Sequence, residues 1–187
     1  MGWKEYSDNN TRNLIAESLR HLMMSRPFEL IRIKDICNEV GVVRVTFYNY
    51  FIDKYDTLDY LIKNDLIIPN ETLADQGKLL DLTKAIIKEI DSKWDFYKIA
   101  YKIEGQNNFE GLMRNNLCEL FLRMLKNNRK EDDSPNKINN KMIATFVAQS
   151  MTYAIYSWLF YPQRISSEQC YLYMSEVMQR SMLDFLN

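Results

Sequence analysis

The residues with the most chemical potential lie in one short stretch of this chain. Arg44, Val45, Thr46, Tyr48, Asn49 and Tyr50 follow one another closely, Val43 precedes them, Arg32 and Lys34 lie upstream, Lys54 downstream, and Arg12 further back. Guanidinium and ammonium groups neutralise phosphates, and hydroxyl and amide tips hydrogen-bond them. An arginine can also pair with O6 and N7 of guanine, while Val and Thr methyls meet the thymine methyl. The stretch therefore suits a duplex nucleic acid. Arg44, Val45, Thr46 and Tyr48 are the expected base-facing set, with Tyr48, Asn49 and Tyr50 also placed to bond phosphates. For Tyr48 and Tyr50 the competing role is half-buried packing against the first helix. Lys54, with the amides of a helix N-terminus behind it, is the expected phosphate clamp, weighed against an ordinary solvated lysine.

Other chemistries find little support. His21 is the only histidine, which removes Ser-His-Asp and Cys-His arrangements and multi-histidine metal sites. No phosphate-binding glycine loop or dinucleotide fingerprint occurs. Glu104, Glu110 and Glu119 are scattered, and nothing pairs them for acid-base work. We expect no enzyme, no cofactor and no metal. Cys37, Cys118 and Cys170 lie far apart without a CxxC pair, which suits a reducing, cytoplasmic setting. No apolar run approaches the roughly 20 residues that span a bilayer, and the N-terminus shows no signal-peptide pattern.

The elements that must hold these residues read as helices. The chain has 187 residues, 47% hydrophobic and 26% charged, with only five Gly and four Pro, too few for a turn-rich strand architecture. We expect an all-α protein. The first helix runs from about Thr11 to Ser25, with Leu14, Ile15, Ser18, Leu19 and Leu22 on one face, caps at Asp8, Asn9 or Asn10, and Pro27 closing it. Ile33, Ile36, Cys37 and Val40 make a second, stopped by Gly41. A third opens at Arg44 and turns Phe47 and Phe51 inward. Two short helices around a glycine turn form a helix-turn-helix candidate. Asp53 caps a fourth helix that uses Leu58, Leu61 and Ile62 and runs to about Ile68 before Pro69. Amphipathic stretches follow at about 78–90, 94–105 and 109–124, then a polar run over 126–135. Two long helices are expected at about 136–161 and 166–186. The first of these is apolar on nearly every face, which implies burial on both sides, one against its own domain and one against a partner chain.

The segment from Ile33 to Leu58 resembles the N-terminal signature of TetR-family transcriptional regulators. Ile36, Gly41, Val42, Thr46, Tyr48, Phe51, Lys54 and Leu58 carry the match at the family's spacing, after a first helix of the right length. The motif covers about residues 11 to 65, and beyond it only helix number and the 158–168 stretch are similar. The phrasing from Phe51 to Leu58 also resembles regulators of dihydroxyacetone kinase. Two positions depart from the family: Arg32 and Val43 stand where a side-chain cap is usual, at a typical cost of about 1 kcal/mol each. Residues 1–66 carry nine Lys or Arg against ten Asp or Glu, so this part is not basic overall.

The resemblance implies a DNA-binding domain over 1–52 and a helical ligand-sensing and dimerisation domain over 53–187. It implies double-stranded DNA, a second copy of the chain and a small-molecule effector as partners. The expected function is a ligand-responsive regulator, a repressor, acting as a homodimer on a palindromic operator. The alternative is a TetR-like dimeric protein-interaction module or co-regulator that does not bind DNA. An effector cavity is expected from Trp94, Tyr97, Tyr101, Phe109, Met113, Leu117, Phe121, Phe146, Gln149 and Tyr153, against the plainer reading of an ordinary core. The dimer is expected to use Val147, Met151, Ile155 and Trp158 with Met174, Val177, Met178, Met182 and Phe185 in a four-helix bundle.

Overall fold

The computed structural model describes residues 3–105, 108–129 and 139–180, with side chains from residue 10 onward. All regular elements among these residues are helical: α1 (Trp3–Ser25), α2 (Ile33–Val40), α3 (Arg44–Tyr48), α4 (Lys54–Ile62), α5 (Glu71–Asp75), α6 (Leu79–Ser92), α7 (Trp94–Ala100), α8 (Phe109–Asn128), α9 (Asn140–Phe160) and α10 (Ser167–Gln179). The all-α expectation holds. The chain forms two compact units, residues 1–64 with 95–112, and residues 65–94 with 113–187.

In the first unit, α1 packs on α2 and α4. Ile15, Leu19, Leu22 and Met23 of α1 meet Ile36, Cys37, Phe47, Phe51, Leu58 and Leu61 in a core from which water is excluded. Leu14 departs from the expected inner face and is 51% exposed, while Ala16 takes an inward position. Polar ties add register: the Ser18 hydroxyl donates to the Ile36 carbonyl at 3.2 Å, and the Tyr60 hydroxyl donates to Asn13 Oδ1 at 2.6 Å. His21 serves structurally, its Nδ1 paired with the Glu39 carboxylate across α1 and α2. The helix α1 continues through Asp8, Asn9 and Asn10, so these residues do not cap it.

The helix boundaries follow from local chemistry. Gly41 sits at φ 78°, a left-handed conformation, and its amide donates to the Cys37 carbonyl at 2.9 Å, which ends α2 and turns the chain. The side chain of Arg32 cannot accept an amide, and Asp35 compensates by accepting from the Arg32 amide at 2.9 Å. Asp53 caps α4 as expected, with one carboxylate oxygen accepting from the amides of Tyr55 and Asp56 at 2.8 Å each. The fourth helix stops earlier than Ile68: after Ile62 the backbone widens into a π-helical turn, Lys63–Ile67, then tightens into a 3-10 turn, Ile68–Asn70. In this π turn Asp65 is buried and forms an ion pair with Lys93 at the end of α6.

In the second unit, α6 packs on α10, and Leu82, Ile86, Ile87 and Ile90 join Met113, Leu117, Leu120 and Phe121 of α8 in its core. Asn139 and Ser166 cap α9 and α10 through the amides of Lys141 and Gln169. The helix α9 buries Ala144, Ala148, Met151, Ile155, Trp158 and Leu159 on one face only. Its other face carries Met142, Phe146, Tyr153 and Tyr156 at 67, 74, 64 and 40% exposure.

Candidate nucleic-acid interface

The short helix α3 presents the site. Phe47 is fully buried and anchors its inner side, stacked edge-on with Tyr48 at 5.5 Å and tilted against Phe51 at 5.8 Å. With one side anchored, Val43, Arg44, Val45, Tyr48 and Asn49 are exposed, and Thr46 and Tyr50 are half-buried. Val43 supplies no side-chain cap, and the helix start is held by the Thr46 amide donating to the Val43 carbonyl at 2.9 Å. The exposed set combines a cation, apolar side chains and hydrogen-bonding tips on one short helix, the mixture that reads base edges. Arg32 and Lys34 are exposed at the start of α2.

Two of the expected phosphate contacts are built differently. The Lys54 ammonium turns into the protein and donates to the carbonyls of Phe28, Glu29 and Ile31 at 2.7, 3.2 and 3.1 Å, with the Phe28 ring at 4.4 Å. All three of its donors thus have backbone carbonyl partners. Burial pushes its pKa below the ordinary value, against the opposing pull of Glu29 and Asp53. The Arg12 guanidinium carbon lies over the Tyr60 ring at 4.3 Å and the Phe51 ring at 5.3 Å, between α1 and α4, and its buried Nε has no hydrogen-bond partner. Arg12 is thus chiefly a packing residue.

The expected effector residues fall in several groups. Tyr97, Tyr101 and Phe109 pack with Phe96 in the first unit, ring centroids 5.0 to 6.4 Å apart. Met113, Leu117 and Phe121 are buried in the core of the second unit. Trp94 stacks edge-on with Trp158 at 4.9 Å, under the Arg164 guanidinium. Phe146, Gln149 and Tyr153 are exposed on the outer face of α9.

The expected dimer residues divide as well. Met151, Ile155, Trp158 and Met174 are buried within the chain's own second unit, so they belong to its core. Val147 and Met178 are half-buried and Val177 is 67% exposed, whereas Met182 and Phe185 lie outside the described residues. A groove of about 520 Å³ stays open beside them: Phe146, Val147, Ser150 and Ala154 of α9, Tyr173, Val177 and Met178 of α10 and Leu79 of α6 line it, with Met151 and Met174 also reaching it. The exposed apolar residues missed by sequence reasoning are Tyr156 of α9 and Leu172 and Tyr173 of α10. For Tyr156 the signal was present as a second stripe on α9, 142, 146, 149, 153, 156 and 160, at the same spacing as the buried one.

These features define an all-helical protein with a helix-turn-helix near its N-terminus. Residues 77–180, more than half of the chain, match the family described as the C-terminal region of TetR-type transcriptional regulators, and the chain belongs to the TetR family. It is 31% identical over 104 residues to the HTH-type dhaKLM operon transcriptional activator DhaS of Lactococcus lactis subsp. lactis (strain IL1403). That match spans 54% of this chain and 52% of the relative, about half the length of each. A TetR-family regulator from Syntrophomonas wolfei superposes with a TM-score of 0.70 at 18% identity, covering 91% of this chain and 94% of that one. A dihydroxyacetone kinase operon activator DhaS gives 0.64 at 21%, covering 90% and 94%. NalD of Pseudomonas aeruginosa, the secondary repressor of the MexAB-OprM multidrug efflux pump, gives 0.63 at 17%, covering 92% and 96%. At these identities the structures share the fold. No helix among the described residues is long and apolar enough to cross a membrane.

Proposed function

We propose that this TetR-family chain is a ligand-responsive repressor that binds a palindromic operator as a homodimer. The observation that carries the reading is the outward face of α3, where Val43, Arg44, Val45, Tyr48 and Asn49 are exposed over a buried Phe47. A helix of this kind enters the major groove, with Arg44 on a guanine and Val45 and Thr46 near thymine methyls. Arg32, Lys34, Asn49 and Tyr50 bond the flanking phosphates and fix the orientation. Residues 1–52 make the DNA contacts, and 53–187 provide effector binding and the dimer.

The dimer uses the open face of α9 and α10, since exposed Phe146, Tyr173 and Val177 remain to be covered after the core is complete. A small-molecule effector acts by favouring a dimer whose recognition helices no longer match successive grooves about 34 Å apart. A coupling of about 1 to 3 kcal/mol suffices.

The test is selection of bound fragments from a random DNA pool, followed by anisotropy titration of the enriched duplex at several salt concentrations. We expect a palindromic site whose affinity falls steeply with salt. A folded, dimeric protein that enriches no sequence contradicts the proposal and favours a protein partner for the same surface. A reporter gene placed behind the enriched site is expected to fall in expression when the protein is present, and a rise would make it an activator.

A further inference from the structure

The position of Lys54 assigns it a task other than contact with DNA. Its ammonium carries three N–H donors, and three carbonyl oxygens, of Phe28, Glu29 and Ile31, stand within 2.7 to 3.2 Å. These carbonyls belong to the 3-10 turn Phe28–Leu30 and the residue that follows it, just ahead of α2. The Phe28 carbonyl also accepts from the Ile31 amide at 3.1 Å, so the ammonium adds a second donor there and supplies one each to Glu29 and Ile31. Phe28 and Ile31 are buried on either side, 2 and 1% exposed, and the Phe28 ring packs edge-on against Tyr55, the residue after Lys54, at 5.0 Å. One side chain thus ties the first turn of α4 to the turn that launches α2. The next residue along is Arg32, followed two positions later by Lys34, both exposed.

We propose that Lys54 is the positioning residue of the DNA-binding helices: it locks the 28–31 turn to α4, sets the place of Arg32 and Lys34, and touches no phosphate itself. The functional half rests on the regulator reading above, whereas the lock itself does not.

The experiment uses the full chain with 15N-labelled lysine, the Lys54→Met variant, and the duplex recovered by selection. In the free protein one lysine ammonium resonance is expected to be protected from exchange and to vanish in Lys54→Met. Adding the duplex should leave it unmoved, because the carbonyls keep their donor. At a temperature where the variant is folded, Lys54→Met should bind about tenfold more weakly, with the slope of log K against log salt unchanged. The double variant Lys54→Met/Arg32→Gln should lose little more than the larger single loss, since the two act through one contact.

A salt slope reduced by about 0.9, the signature of one lost phosphate contact, overturns the proposal. So does an ammonium resonance that shifts on adding DNA, equal affinity of Lys54→Met and the parent, or fully additive losses. If Lys54→Met does not fold, the ammonium resonance of the unaltered chain decides, protected and unmoved in support, unprotected or shifted against. Failure of the regulator reading shows separately, as a parent chain that binds no duplex while its ammonium stays protected.

Discussion

Arg44 and Lys54 carry the same charge sign on neighbouring elements, yet one is exposed and the other is bonded to backbone carbonyls. Arg44 is exposed on α3, so Arg44→Ala should cost about 1 to 3 kcal/mol at the preferred base pair and relax sequence preference there. Competition titrations with single-base variants of the operator check this, and a loss equal on every sequence would contradict it. The sequence motif located both residues but could not show which way the Lys54 stem would bend, because its acceptors are carbonyls of residues 23 to 26 positions away. Side-chain type predicts capacity, and the fold decides where it is used. The cysteines make the same point. Burial pushes the Cys170 thiol up to about 12, with the Asp91 charge adding to the effect, and burial raises Cys37 too. At pH 8 iodoacetamide should modify Cys118, which is half-buried, and reach Cys37 and Cys170 only after unfolding, as mass spectrometry would show. A thiol whose folded pKa exceeds its ordinary 9.0 adds stability that is present below that pH and lost as pH climbs toward about 12. Cys170→Ala should therefore lose less stability than the parent between those limits in chemical denaturation.

Among the elements, the short helices were the most legible, because their ends are written in single residues. Gly41 and Asp53 each fix a boundary through one property, the freedom to take φ 78° and a carboxylate that accepts two amides. Asp53→Ala should lower stability by about 1 kcal/mol, read as a lower denaturant midpoint, while Asp53→Asn should keep most of it. An unchanged midpoint for the alanine variant would mean that packing of α4, and not its cap, holds the entry. The end of α4 was not legible: nothing in the residue types of Lys63–Ile67 marks a π-helical turn, which arises where buried Asp65 meets Lys93 across the fold. The helix α9 posed a different difficulty. Two stripes on it are apolar, and periodicity cannot rank them. Ala144 and Ala148 mark the inner stripe, since small residues allow close approach, and this puts Met151, Ile155 and Trp158 inside. The aromatic residues pose a related difficulty, as their spacing looks alike whether rings line a space or fill it.

At the scale of the whole molecule, α9 gives one stripe to the core and leaves another exposed. Phe146→Glu and Val177→Glu place charge on the open face and should give folded monomers, seen by light scattering with unchanged circular dichroism. Met151→Glu puts a charge in the core and should unfold the second unit instead. Folded dimers from both surface variants would put the interface elsewhere. The central claim joins this symmetry to the face of α3, and hydroxyl-radical footprinting of the selected duplex tests it most directly. Two equal protected patches are expected on one side of the duplex, about 34 Å apart, present with the parent chain and abolished together by Arg44→Ala at limiting protein. A single patch without symmetry, or protection that persists undiminished in Phe146→Glu monomers, would contradict it.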